Sequence, residues 1–254
     1  MKYLHYLLAA SVRRLRKKYA KTQYLDYYEK TLELERPTMV FTHDIDEGYE
    51  PKINDIIDAE NKYGIKSTMF LLAMSSPSKK WVSAHSKWDF QYHANFIGNG
   101  IKKVIEEKKL IDDLVGKKTD IVRAHQYHLP DLNLIKDYFK ADSSYDNWTK
   151  LSMFRPFLTS LGIIEFPHLP EVEFINLHKG KGDNIKNLYK DIVEIARKTN
   201  GLVIVLTHPT PFKKWGRQIQ EFFMPQDGFE IKTLSQVTDE LRKRHKINYE
   251  PKLL

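Results

Sequence analysis

The chain has 254 residues, 41% of them apolar, enough to bury a sizeable core as one large domain or two small ones. No apolar stretch reaches the roughly 18 residues that cross a bilayer. With no cysteine, disulfides and thiolate ligands are excluded, so any metal must be held by His, Asp or Glu. The formal charge of +8 is local: residues 1–21 carry seven basic residues and no acid, leaving 34 basic against 33 acidic residues elsewhere. That balance argues against a nucleic-acid groove spread over the fold.

The basic segment has helical periodicity, with Leu4, Leu8, Val12, Leu15 and Tyr19 at steps of three or four. It is a poor signal peptide, because its apolar part is short, contains His5 and runs into Arg13-Arg14. Two readings stand: an amphipathic helix packed on the body, or a helix making peripheral contact with an anionic membrane through residues 1–21. Residues 1–36 are read as a helical extension and 37–254 as the main domain. The absence of cysteine fits a cytoplasmic protein, membrane-associated if the arm binds lipid.

Beyond Pro37, apolar runs alternate with helical patterns. Strands are expected at 38–43, 66–72, 120–124, 162–166, 172–177 and 202–207. Helices are expected at 53–63, 100–115, 131–139, 184–198 and 233–244. The run "GLVIVLTHP" is apolar almost throughout, as in a strand buried on both faces. The alternation predicts an α/β fold with a parallel sheet closed or flanked by helices, a barrel being the favoured arrangement. Residues 75–80 and 210–230 read as long loops.

Polar residues fall where these strands end, which in a parallel barrel is where loops build a site. The first strand ends in "FTHDID", with Asp44 and Asp46 one residue apart and so on one face while strand geometry persists. Two such carboxylates repel unless a cation or proton lies between them. "WDFQYHAN" follows with His93 and Asn95, then "VRAHQYH" with Arg123, His125 and His128, then "DSSYDNW", and finally "LVIVLTH" with His208.

In order and spacing these segments resemble the five motifs of the polysaccharide deacetylase, or NodB-homology, superfamily of carbohydrate esterases, over about residues 38 to 210. The resemblance implies a distorted (β/α) barrel that removes N-acyl groups, usually acetyl from amino sugars, with a divalent metal, often zinc. It assigns Asp44 as the general base, Asp46 and His93 as metal ligands, Arg123 as the group that steadies Asp44, and His208 as the acid that protonates the leaving amine. Asp142 and Trp148 match the motif lining the substrate pocket, with Tyr145 beside Trp148 as an apolar wall for the sugar. The family's second ligand histidine falls at Ile97, which cannot ligate, so the third ligand is sought at His125, with His128 as the alternative. The implied partner is a carbohydrate or glycan. Two other functions fit the same residues: a carbohydrate-binding relative that has lost its metal, and a hydrolase of another non-peptide carbon–nitrogen bond.

Overall fold

The computed structural model describes residues 24, 26–145, 155–169, 182–210 and 227–251, with backbone alone for 182–189. The expected strand at 172–177 and the basic arm at 1–21 lie outside the described residues. Among the described residues no helix is long and apolar enough to cross a membrane.

The strands are β1 (Tyr28–Thr31), β2 (Thr38–Ile45), β3 (Thr68–Leu72), β4 (Asp89–Ala94), β5 (Ile121–Ala124), β6 (Ala141–Asp142), β7 (Phe157–Thr159), β8 (Ile164–Glu165), β9 (Leu202–Thr207) and β10 (Glu230–Ile231). The helices are α1 (Glu50–Tyr63), α2 (Lys79–Ala84), α3 (Ile101–Val115), α4 (Gly182–Thr199) and α5 (Leu234–Arg244). β9, β2, β3, β4, β5, β6 and β8 run parallel side by side, and β7 and β1 add an antiparallel edge. β10 shares one edge of β2 with β3, pairing at Thr38 and Met39 where β3 has not yet begun. The Leu169 N–H donates to the Ile204 carbonyl at 3.2 Å, reaching from beyond β8 towards β9. The result is a distorted, open (β/α) barrel. β1 lies inside the segment assigned to the extension, yet it is paired into the sheet.

Strand alternation divides the core into two layers. Val40, Phe70, Ile121, Ala141, Ile164, Phe166 and Ile204 point into the barrel and pack on Leu234, Val237 and Leu241 of α5. Phe41, Met69, Leu71, Phe90, Tyr92 and Val122 point outward onto α1 and α3 through Ile53, Ile56, Val104 and Ile111. α5 begins with a capping box, Thr233 and Gln236 each bonding the other's backbone N–H. Its first residues are tied to the start of β3 and β4: the Leu234 N–H donates to Thr68 Oγ1 at 2.8 Å and Ser235 Oγ to Asp89 Oδ1 at 2.8 Å. α5 therefore plugs the amino end of the strands, and the carboxyl end carries the polar residues.

Two sequence expectations need correction. Residues 131–139 do not form an α-helix. Asp131 accepts from the Asn133 N–H at 2.8 Å and starts only a 3-10 turn at Leu132–Leu134. The spacing of Leu132, Ile135 and Phe139 reflects burial of a turn-rich segment rather than helical period. Conversely, "DFQYHA" is a full strand whose polar residues Asp89, Gln91 and His93 alternate with Phe90, Tyr92 and Ala94.

Candidate active site

β2 carries Thr42 and Asp44 into the barrel, and Asp46 is the first residue past its end. Asp44 is nearly inaccessible, so an unpaired charge there would be costly. Arg123 from β5 meets it, Nη1 donating to Asp44 Oδ1 and to Thr42 Oγ1, each at 2.9 Å. The guanidinium is fully buried and otherwise satisfied by Ser143, with Nε donating to its carbonyl at 2.9 Å and Nη2 to its Oγ at 2.8 Å. It also covers the Phe70 ring at 4.3 Å. Burial pushes the Asp44 carboxyl up, but Arg123, followed by His93 and His208, offsets this and holds it below the usual carboxylate range. Asp44 is thus a buried carboxylate kept ionised.

Asp46, His93 and His125 converge above this pair. His93 Nε2 lies 3.1 Å from Asp46 Oδ1, His125 Nδ1 lies 3.2 Å from the same oxygen, and the two nitrogens are 3.2 Å apart. His93 Nδ1 is 2.9 Å from the Arg123 carbonyl, which can only accept. That bond therefore puts the proton on Nδ1 and leaves the Nε2 lone pair aimed at the cluster. Among the described residues Asp46 Oδ1 is buried and accepts no hydrogen bond of good geometry. Burial raises the Asp46 carboxyl, but the nearby His125 and His93 nitrogens and His208 more than offset it and hold it well down. Three electron-pair donors thus form a near-equilateral triangle with edges of 3.1–3.2 Å. Ligand atoms around one tetrahedral zinc, each about 2.1 Å from it, stand about 3.4 Å apart. The donor set of two imidazoles and a carboxylate, the triangle and the orphaned oxygen all fit a divalent cation.

His208 follows β9 on the other side of β2, and its Nε2 lies 3.7 Å from Asp46 Oδ2. The last registered pair of β2 and β9 is His43–Thr207, so Asp44 and His208 come next, at the mouth. The group able to share a cation includes His125 and not His128. Ile97 lies in a turn, its N–H donating to Asn95 Oδ1 at 3.0 Å.

The structure does not bring Asp142 and Tyr145 to this group. Asp142 neighbours Val122 in register and so faces the helix layer, opposite to Arg123 and Ser143. There Asp142 Oδ2 accepts from the Tyr24 hydroxyl at 2.9 Å and Oδ1 from Ser144 Oγ at 2.6 Å. Tyr145 is buried between Tyr24 and Phe157, with ring centroids 5.0 and 6.4 Å away. Trp148 lies outside the described residues. Sequence reasoning missed Thr42 and Ser143, which hold Arg123. The signal for Thr42 was present, since it precedes Asp44 by two residues on a strand.

No family model matches the chain, and no curated protein matches it by sequence. Its fold is nonetheless that of solved structures. A Mycobacterium smegmatis protein assigned as a polysaccharide deacetylase superposes with a TM-score of 0.61 at 11% identity, over 89% of this chain and 98% of the other. PuuE allantoinase and a protein from Pseudomonas aeruginosa PAO1, also assigned as a polysaccharide deacetylase, each give 0.61 at 10% identity, over 82% of this chain and 91% of theirs. The chain therefore has the distorted (β/α) barrel of the polysaccharide deacetylase type. At such identities the likeness speaks for the fold alone.

Proposed function

We propose that this protein is a metal-dependent hydrolase of the polysaccharide deacetylase superfamily that removes an N-acyl group, acetyl in the simplest case, from a sugar or glycan. The observation that carries the reading is the convergence of Asp46 Oδ1, His93 Nε2 and His125 Nδ1 directly above the Asp44–Arg123 pair, with His208 alongside. Asp46, His93 and His125 would hold the ion, zinc by donor type, and a bound divalent ion supplies Lewis acidity that activates water and polarises the acyl carbonyl.

The chain's own residues do the rest. Asp44, kept ionised by Arg123, accepts the proton of the attacking water. Arg123 holds that carboxylate in place through a second anchor on Thr42 and two on Ser143, so the base needs no reorganisation during reaction. His208, more exposed than Asp44 and 3.7 Å from Asp46 Oδ2, is the acid of this reading and protonates the nitrogen as the carbon–nitrogen bond breaks. Asp44 lies near the end of β2 and His208 just past the end of the adjacent β9, so in this reading one faces the water and the other the leaving group.

A second reading, hydrolysis of another non-peptide carbon–nitrogen bond, draws support from the likeness to PuuE allantoinase, since the same base and acid suit a cyclic amide. The test is zinc content and turnover together. Wild-type protein equilibrated with zinc should retain about one ion and Asp46→Ala none, and chelator should abolish release of acetate from N-acetylated amino sugars. Turnover of a cyclic ureide without deacetylation would move the assignment to the second reading. Equal, negligible zinc in both proteins would favour a binding module without catalysis.

A further inference from the structure

Asp46 is less firmly held than His93. It lies beyond the last residue of β2 and its side chain is about one-third exposed. His93, by contrast, is fixed by a strand and by its Nδ1 bond to Arg123. The aim of the Asp46 carboxylate therefore depends on what holds the backbone of the loop from β2 to α1.

Two observations identify that hold. Gly48 has no left-handed φ, so conformational freedom does not explain a glycine there. Space does: a Cβ at this position would lie 1.9 Å from the Ser75 carbonyl oxygen, 2.6 Å from the Ser76 carbonyl carbon and 2.8 Å from the Pro77 nitrogen. All three are backbone atoms that cannot swing aside. Beside this approach, Ser75 Oγ donates to the Asp46 carbonyl at 2.5 Å. The Ser75 loop is itself anchored, with Ser76 Oγ donating to the Leu72 carbonyl at 2.9 Å and the Ser78 N–H to Glu50 Oε1 at 2.9 Å. β3, from which this loop leaves, is paired to β2 at Ile45–Leu71.

We propose that Gly48 and Ser75 form a clasp whose function is to aim Asp46 at the cation: they are positioning residues for the metal centre, acting through the Asp46 backbone. The inference rests on the metal reading above. Groups that hydrogen-bond a ligating side chain typically carry a 10–100-fold effect on metal affinity, and the same range is expected here through the Asp46 backbone. Ser75→Ala removes the hydroxyl without adding bulk, Ser75→Thr keeps it, and Gly48→Ala forces the two loops apart.

The experiment titrates chelator-stripped full-length protein with zinc alone, against a competing chromogenic chelator, and records metal-free melting curves alongside. Ser75→Ala should bind zinc about 10–100-fold more weakly than wild type while its metal-free melting temperature stays close to wild type. Ser75→Thr should restore affinity, and Gly48→Ala should weaken it at least as much as Ser75→Ala. If Gly48→Ala does not fold, the two Ser75 variants decide. Wild-type zinc affinity in Ser75→Ala, with Asp46→Ala impaired, overturns the clasp and leaves the metal reading standing. Equal weakening by alanine and threonine at position 75 overturns it too, since the hydroxyl is then not the cause. Zinc uptake no better in wild type than in Asp46→Ala overturns the metal reading and the clasp with it.

Discussion

Replacing Glu165 with glutamine should make the protein's stability less dependent on pH. Glu165 and Asp142 are register partners on β8 and β6, both fully buried on the outer face of the sheet. Burial, with the Asp142 charge and hydrogen bond behind it, pushes the Glu165 carboxyl well above its ordinary value of 4.5. Burial also raises Asp142, but hydrogen bonds from Glu165, Ser144 and Tyr24 oppose the rise. Glu165, the more strongly raised of the two, is therefore expected to hold the proton and share it with Asp142. Its Oε2 finds no donor among the described residues, as a protonated oxygen would not, while Oε1 accepts from the Tyr145 N–H at 3.1 Å.

Because the folded pKa exceeds the unfolded one, the contribution is fully present below about pH 4.5 and is lost as pH rises through the folded-state value. One proton gives a slope of about 1.4 kcal/mol per pH unit across that window. In Glu165→Gln the new side chain would keep both contacts, its amide N–H donating to Asp142 and its oxygen accepting from Tyr145, without a titrating proton. Urea unfolding at pH 5, 6, 7 and 8, followed by the fluorescence of the buried Trp81 and Trp88, should show wild type losing stability relative to Glu165→Gln as pH rises. A difference between the two proteins that is constant from pH 5 to 8 would refute the assignment of the proton.

Three further outcomes are expected. Asp44→Asn and His208→Ala should each lower kcat by about 10²–10⁴ with zinc content unchanged, because neither is assigned as a ligand; near-normal kcat in both folded variants sinks the proton roles. Arg123→Met strands the buried Asp44 carboxylate and should cost about 3–5 kcal/mol in chemical unfolding at neutral pH, with part of the loss recovered when Asp44 is also changed to Asn; additive costs in that double variant would contradict the pairing. Deleting residues 1–21 should abolish any binding to anionic vesicles while the body stays folded; equal binding with and without the segment removes it as the membrane contact, and unfolding on deletion favours a helix packed on the body.

Much of the site was legible in the chain because its residues sit at strand ends. Asp44 and Asp46 beside an apolar run, Arg123 and His125 after another, and His208 after "LVIVLT" can be read off wherever a parallel strand stops. Composition alone restricted a metal to His, Asp and Glu, and period-2 alternation placed Thr42 and Asp44 on one face. Which face that was, and what met it, depended on the sheet. The order β9-β2-β3-β4-β5 brings Asp46 from one strand end against His93 and His125 from two others, and no spacing along the chain encodes that approach. Tertiary pairing also took Asp142 and Tyr145 away from the mouth, since the register of β6 with β5 turns Asp142 towards Tyr24. Gly48 is the same lesson at one atom's scale. In the sequence it is an ordinary loop glycine, and only the packed Ser75–Pro77 backbone shows that the position has no room for a side chain.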